Sequence, residues 1–340
     1  MHEFGHFIAG KLMGLTVKEF KFGLPGPELV GITIGETRYG ITAIPFGGYV
    51  KFAGLESELS LGDEEPGDVP DEKNFDKQSI SRKAIIIAAG PLMNFAFASI
   101  LFASILSIQG TPVDAKPQVE AVSQNSPASR VGLRPNDRFV RIENKRIKTW
   151  KDVLNEVKSR PGKAITVVVE RRGRQLTFRP KLAKNEQGKG FLGITPVLIY
   201  KRENPLVAIY KGAATTVSMA AFLVKALATL VFKQAHMLVS ESRGPVGIVF
   251  ETAAIAKQSI WDFISALAFL SVNIGVVNLI PFPPLDGGRI ALYGVEGFSR
   301  RKLNRKAVLA ISSVGMLLLL FFIVYVTIAD VLRLLAGGGL

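Results

Sequence analysis

The chain has no cysteine, only three histidines, and 28 acidic residues against 42 basic ones. Without thiols there is no disulfide framework, thiolate zinc site, iron–sulfur cluster or cysteine nucleophile, so a bound metal must use histidine, carboxylate or amide ligands. The shortage of acid leaves a formal charge of +14 over 340 residues. A phosphate-binding glycine loop, a nucleic-acid motif, a tandem repeat and a low-complexity tract are also missing. Charge of either sign is absent from residues 84–108, 263–282 and 307–329, runs of 25, 20 and 23 residues. Each reaches the roughly 20 residues that cross a hydrocarbon core, and each is expected to be a transmembrane helix. A purely soluble enzyme is thereby excluded.

Lysine and arginine beside the runs set the orientation, because cytoplasmic flanks retain positive charge. Lys77, Arg82 and Lys83 precede the first run, and Arg289, Arg300, Arg301, Lys302, Arg305 and Lys306 separate the last two. Both flanks are therefore expected on the cytoplasmic side, with residues 109–262 extracytoplasmic. A fourth apolar stretch, 212–232, is interrupted by Lys225 and bounded by Lys211 and Lys233. At 100° per residue, Lys211, Thr215, Ser218, Lys225, Thr229, Lys233 and His236 share one face, broken by Phe222. The expectation is an amphipathic helix over 205–237, on the membrane surface or packed against the other helices, and not a span.

Soluble α/β patterning marks the middle of the chain. Residues 119–122, 137–143, 164–170 and 175–180 read as strands, 126–131 and 149–159 as helices, and Arg172-Gly173 as a hairpin turn. Residues 116–184 carry 18 basic and 6 acidic side chains, nearly all of the net charge. That excess reads first as a solvated basic surface. Nine acids between residues 56 and 76 mark a cytoplasmic loop. Before it, 29–34 and 38–44 flank Gly35-Glu36-Thr37 as a β-hairpin.

The chemistry begins at His2-Glu3-Phe4-Gly5-His6. Histidines at i and i+4 share a helix face and can grip one zinc ion, with the intervening glutamate placed to take a proton from water. A catalytic site of this kind has three protein ligands and one open position. A third histidine six residues on is absent, since position 12 is Leu12. His236 is available, but Asp286 in Leu285-Asp286-Gly287-Gly288 is the stronger candidate. It is the first charge after a 20-residue apolar run, where a carboxylate is expensive unless paired or coordinated.

The HEFGH motif, Gly90-Pro91-Leu92-Met93-Asn94 in the next helix, the α/β module and Asn278-Leu279-Ile280-Pro281-Phe282-Pro283-Pro284-Leu285-Asp286-Gly287-Gly288 together resemble the site-2 proteases, intramembrane zinc metalloproteases. The resemblance covers nearly the whole chain and is nearest to the bacterial branch, with a single PDZ domain, that cuts anti-sigma factors during envelope stress. It implies a polytopic α-helical membrane protein with an inserted extracytoplasmic PDZ-like α/β domain and a membrane-associated β-hairpin. It further implies His2, His6 and Asp286 as ligands of one Zn2+ per chain and Glu3 as general base. Asn273, Asn278, Pro281, Pro283, Gly47 and Gly48 resemble substrate-contacting positions. The hairpin with Pro45-Phe46-Gly47-Gly48-Tyr49 resembles the element that receives an extended substrate, and Gly132-Leu133 with Pro135-Asn136-Asp137 resembles the PDZ pattern.

The expected domains are an active-site helix and hairpin (1–53), an acidic cytoplasmic loop (54–83), a transmembrane helix (84–108), the PDZ-like domain (115–185), the amphipathic helix (205–237), and transmembrane helices at 263–282 and 307–329. The expected setting is the bacterial inner membrane, with the active site toward the cytoplasm. Expected partners are lipid, single-span membrane substrates, and peptide tails at the PDZ-like domain, with no nucleic acid. Only Met1 precedes the first histidine, so some 15 to 20 further apolar residues are expected upstream to complete the first span. Two other functions compete: a non-catalytic scaffold that binds peptide tails, for which Glu3 is dispensable, and a metal transporter, which needs polar residues along several helices.

Overall fold

The computed structural model describes residues 1–44, 47–55, 69–185, 187–233, 259–301 and 303–335. The chain divides into two compact units, Met1–Ile105 with Pro205–Leu340, and Leu106–Asn204.

In the first unit, α1 (His2–Leu12) leads into a four-stranded sheet of order β2-β3-β1-β4, made of β1 (Val17–Phe22), β2 (Glu28–Ile34), β3 (Thr37–Thr42) and β4 (Gly48–Phe52). The expected hairpin is present as β2 and β3, with Ile34 opposite Thr37 across a two-residue turn. It is half of a larger sheet, in which β1 runs parallel to β3 and antiparallel to β4. Leu15, Val17, Phe52, Phe75, Ile86 and Ile87 form the core beneath α1, and Phe52 stacks on Phe75 with ring centroids 5.6 Å apart.

The helices of this unit are α2 (Ile80–Ile108), α5 (Pro205–Lys233), α6 (Ile260–Asn278), α7 (Asp286–Ser299) and α8 (Arg305–Leu335). α6 stops four residues before the end of its apolar run, because Pro281, Pro283 and Pro284 have no N–H to continue the ladder. α7 occupies what the sequence offers as a basic loop, and its Ile290 and Tyr293 pack on the core beneath α1. Ala98 of α2 meets Ala268, Val272 and Val276 of α6 in a second core, flanked by Met219, Ala220 and Leu223 of α5.

Among the described residues, four helices have the length and apolar composition to cross a membrane, one more than the three charge-free runs: Ile80–Ile108, Pro205–Thr229, Ile260–Asn278 and Lys306–Leu332. The addition is α5. Its buried positions, Ala208, Gly212 and Thr216, recur every fourth residue, and Thr216 bonds to Ser99 of α2 at 3.0 Å. Leu206, Ile209, Tyr210, Val217 and Phe222 are exposed, so the outer surface is largely apolar despite Lys211 and Lys225.

The second unit holds a sheet of order β12-β5-β6-β8-β9, with β7 (Lys145–Arg146) paired to β6. Its strands are β5 (Thr111–Val122), β6 (Arg138–Ile142), β8 (Val167–Arg171), β9 (Arg174–Phe178) and β12 (Ile194–Lys201). β10 (Ala183–Lys184) and β11 (Gly190–Phe191) form a separate pair. Helices α3 (Pro127–Arg130) and α4 (Trp150–Lys158) cover a core of Val119, Phe139, Ile142, Val153, Val167 and Val169. Arg172 and Gly173 both adopt positive φ, +51° and +78°, as a tight hairpin between twisted strands requires. Asp137 is fully buried, accepts a bidentate contact from Arg171 at 2.6 and 2.7 Å and caps the Arg134 N–H at 2.9 Å. That is the physical content of the Pro135-Asn136-Asp137 pattern.

Candidate active site

One helical turn separates His2 from His6 on α1, and their rings meet edge to face with centroids 4.8 Å apart. The third group comes from the far end of the chain. After α6 ends, residues 279–285 fold back through Phe282 N–H to the Ile280 carbonyl (2.7 Å) and Leu285 N–H to the Phe282 carbonyl (2.8 Å). Asp286 then opens α7. A Cβ at Gly287 or Gly288 would collide with the backbone between Leu279 and Pro283, so the glycine pair lets the turn close and aim Asp286 at α1.

Asp286 Oδ2 lies 3.0 Å from His2 Nε2 and 3.3 Å from His6 Nε2, and the two nitrogens are 3.2 Å apart. Corners of a tetrahedron whose donors sit about 2.0 Å from a zinc ion are separated by about 3.3 Å, so the three atoms match one tetrahedral face. Asp286 Oδ2 is buried with no hydrogen bond of good geometry among the described residues. His6 Nδ1–H donates to the Ile86 carbonyl at 2.9 Å, which directs the lone pair of Nε2 toward the cluster. The donor set and its spacing therefore fit a zinc ion.

A cavity of about 440 Å³ opens on this cluster, lined by His2, Glu3, His6, Asp286, Gly48 and Asn278 together with Tyr49, Lys51, Pro284 and Arg289. Met316 and Leu319 of α8 supply an apolar wall. Glu3 sits beside β4, where a Cβ at Gly48 would come within 3.4 Å of its Cγ and 2.9 Å of the Lys21 carbonyl. Glycine at 48 thus allows the strand to approach the glutamate. Of the remaining sequence candidates, Asn273, Pro281, Pro283 and Gly47 are not among the lining residues. His236 lies outside the described residues. Tyr49 entered the sequence reading only as the end of the Pro45–Tyr49 segment, and Lys51 and Arg289 had no place at the site. Arg289 is one helical turn past Asp286, a signal that was available, whereas Lys51 becomes visible only once β4 is an edge strand.

Apolar helices long enough to cross a bilayer, joined to a histidine-pair helix with a distant aspartate drawn onto it, are the makings of a membrane-embedded metallopeptidase. The profile of peptidase family M50 matches residues 1–322, and the chain belongs to that family. A candidate zinc metalloprotease of Clostridium acetobutylicum is 34% identical over 333 residues, covering 97% of this chain and 93% of that protein. Another from Mesorhizobium japonicum is 33% identical over 343 residues, covering 96% and 93%. Zinc metalloprotease RasP of Geobacillus kaustophilus is 27% identical over 401 residues, covering 97% and 94%. Among solved structures, the PDZ domain of an SdrC-like protein from Listeria monocytogenes aligns with 24% of this chain and 88% of its own, at 21% identity and a TM-score of 0.23. The protein is a multi-pass metalloprotease of the site-2 type.

Proposed function

We propose that the protein cleaves single-span membrane proteins within or beside the bilayer, in regulated intramembrane proteolysis of such substrates as pre-cleaved anti-sigma factors or signal-peptide remnants. One Zn2+ per chain would be held by His2, His6 and Asp286. The observation that carries this reading is the mutual 3.0–3.3 Å spacing of three ligand atoms in the cavity that Glu3 also lines. Zinc, when bound, acidifies a water molecule and polarises a substrate carbonyl. Glu3 takes a proton from the attacking water and delivers it to the leaving amine as the C–N bond breaks.

A transmembrane helix hides its peptide bonds within its own hydrogen-bond ladder, so it must be unwound before hydrolysis. β4 provides the compensating surface: it is the outer strand of its sheet, and Gly48, Tyr49, Val50, Lys51 and Phe52 all line the cavity. An extended substrate segment pairs along that edge and passes in front of Glu3. Asn278 hydrogen-bonds the exposed backbone, while Gly47, Asn273, Pro281 and Pro283 shape the approach. In the second unit, β12 is likewise an outer strand, and we assign the unit as a PDZ-like module that screens extracytoplasmic peptide tails by strand addition. Placement in a bacterial inner membrane, with Asp286 toward the cytoplasm, follows the positive flanks.

The test is co-expression of a tagged single-span substrate with the wild type or with Glu3→Gln, read by product size. The expected result is cleavage inside the span that falls by about 10²-fold or more in the mutant. Equal cleavage by both would sink Glu3 as the base. Intact substrate with wild type, in a protein that inserts and binds zinc, would favour the peptide-tail scaffold.

A further inference from the structure

The segment 90–94 on α2 has no role in the chemistry above, yet it lies directly under the two histidines. We infer that Asn94 is the positioning residue for His2, holding its imidazole in the tautomer whose Nε2 lone pair faces the cation. This rests on His2, His6 and Asp286 being a metal centre.

Ile86, Gly90 and Asn94 follow one another at four-residue steps and form one stripe of α2. A Cβ at Gly90 would collide with the Nε2–Cε1 edge of the His6 ring and with His2 Cε1, so the stripe lies against both imidazoles. The two rings are nevertheless held differently. His6 Nδ1 faces the Ile86 carbonyl at 2.9 Å, and a carbonyl only accepts, so the His6 proton is fixed on Nδ1. His2 Nδ1 faces the Asn94 side-chain amide at 3.3 Å, and that residue is only 3% exposed. An amide both donates and accepts. With its NH2 toward His2, Asn94 donates to a bare Nδ1 and so serves the tautomer protonated on Nε2. After a half-turn of the amide, which exchanges oxygen for nitrogen in nearly the same volume, Oδ1 accepts from Nδ1–H and Nε2 is free to bind a metal. Asparagine therefore satisfies His2 both without and with the ion, where aspartate satisfies only the metal-binding tautomer and leucine neither. Ser271 Oγ donates to the Asn94 carbonyl at 2.8 Å and ties this turn of α2 to α6.

The experiment measures zinc affinity of the purified full-length protein by competition against a chromophoric chelator, for wild type, Asn94→Leu, Asn94→Asp and His6→Ala. Asn94→Leu is expected to weaken binding 10- to 100-fold, the usual cost of losing a histidine's outer partner, and Asn94→Asp to bind at least as tightly as wild type. Rescue by aspartate separates a lost acceptor from a lost fold, since both variants discard the amide. Wild-type affinity in Asn94→Leu, or equal losses in the leucine and aspartate variants, would overturn the inference while leaving the metal centre standing. Wild-type affinity in His6→Ala would remove the metal centre and this inference with it.

Discussion

Asp137 and Asp286 are both shielded carboxylates, and their environments assign them different work. Asp137 is fully enclosed, and Arg171 and the Arg134 N–H meet both of its oxygens. Asp137→Ala leaves the Arg171 guanidinium unmatched beside the core of its unit, and a loss of about 3 kcal/mol is expected, measured by denaturant titration. Asp286 instead points one oxygen at two imidazoles and has no hydrogen bond of good geometry at that atom. Asp286→Ala should therefore abolish stoichiometric zinc binding, read by metal analysis after dialysis, while the exchange protection of the second unit stays unchanged. The candidate ligands were legible in the sequence because their chemistry is local: two histidines one turn apart, and an acid at the end of an apolar run. Asn94 was visible as part of a motif, but its contact with His2 spans 92 positions and has no local signature.

Secondary elements were legible in proportion to how much of their stabilisation is local. The long apolar helices and the strands β6, β8 and β9 carry uninterrupted or alternating patterns. β1 escaped notice because it pairs in parallel with β3, with β2 intervening in the sequence, and no short-range pattern encodes that pairing. α7 begins Asp-Gly-Gly and contains Gly294 and Gly297, a poor helix by propensity, and packing of Ile290 and Tyr293 overrides that weakness. α4 is the opposite case: Thr149 and Asp152 form a reciprocal capping box recognisable in the sequence. N–H and hydroxyl donors of Thr149, the Lys148 N–H and the Lys145 ammonium hold the Asp152 carboxyl at about 2, below the ordinary aspartate value. Because the folded pKa is depressed, the cap's contribution is complete above the unfolded pKa near 4 and is lost as pH falls through about 2. Hydrogen exchange of the first α4 amides should accelerate, beyond its intrinsic pH trend, over that interval. Asp152→Asn should remove the extra dependence.

On the scale of the whole molecule, the residues proposed for catalysis lie in one unit and the module proposed to screen peptide tails is the other. His2, Glu3, His6, Ile86, Asn94, Ser271 and Asp286 all belong to the unit formed by Met1–Ile105 and Pro205–Leu340. Replacing Leu106–Asn204 with a short glycine–serine linker is therefore expected to leave zinc stoichiometry unchanged and to alter only which substrates are cut, as a panel with long and trimmed extracytoplasmic tails would reveal. Loss of zinc from that variant would count against the division.

The distance along the chain between His2 and Asp286 also acts as a clock. At roughly 5 to 20 residues per second, translation needs on the order of tens of seconds to travel from one to the other. During that interval a nascent copy already presents its histidine pair but has no aspartate to complete the cluster. A nascent chain halted before residue 286 is therefore expected to hold only the histidine half of the proposed cluster.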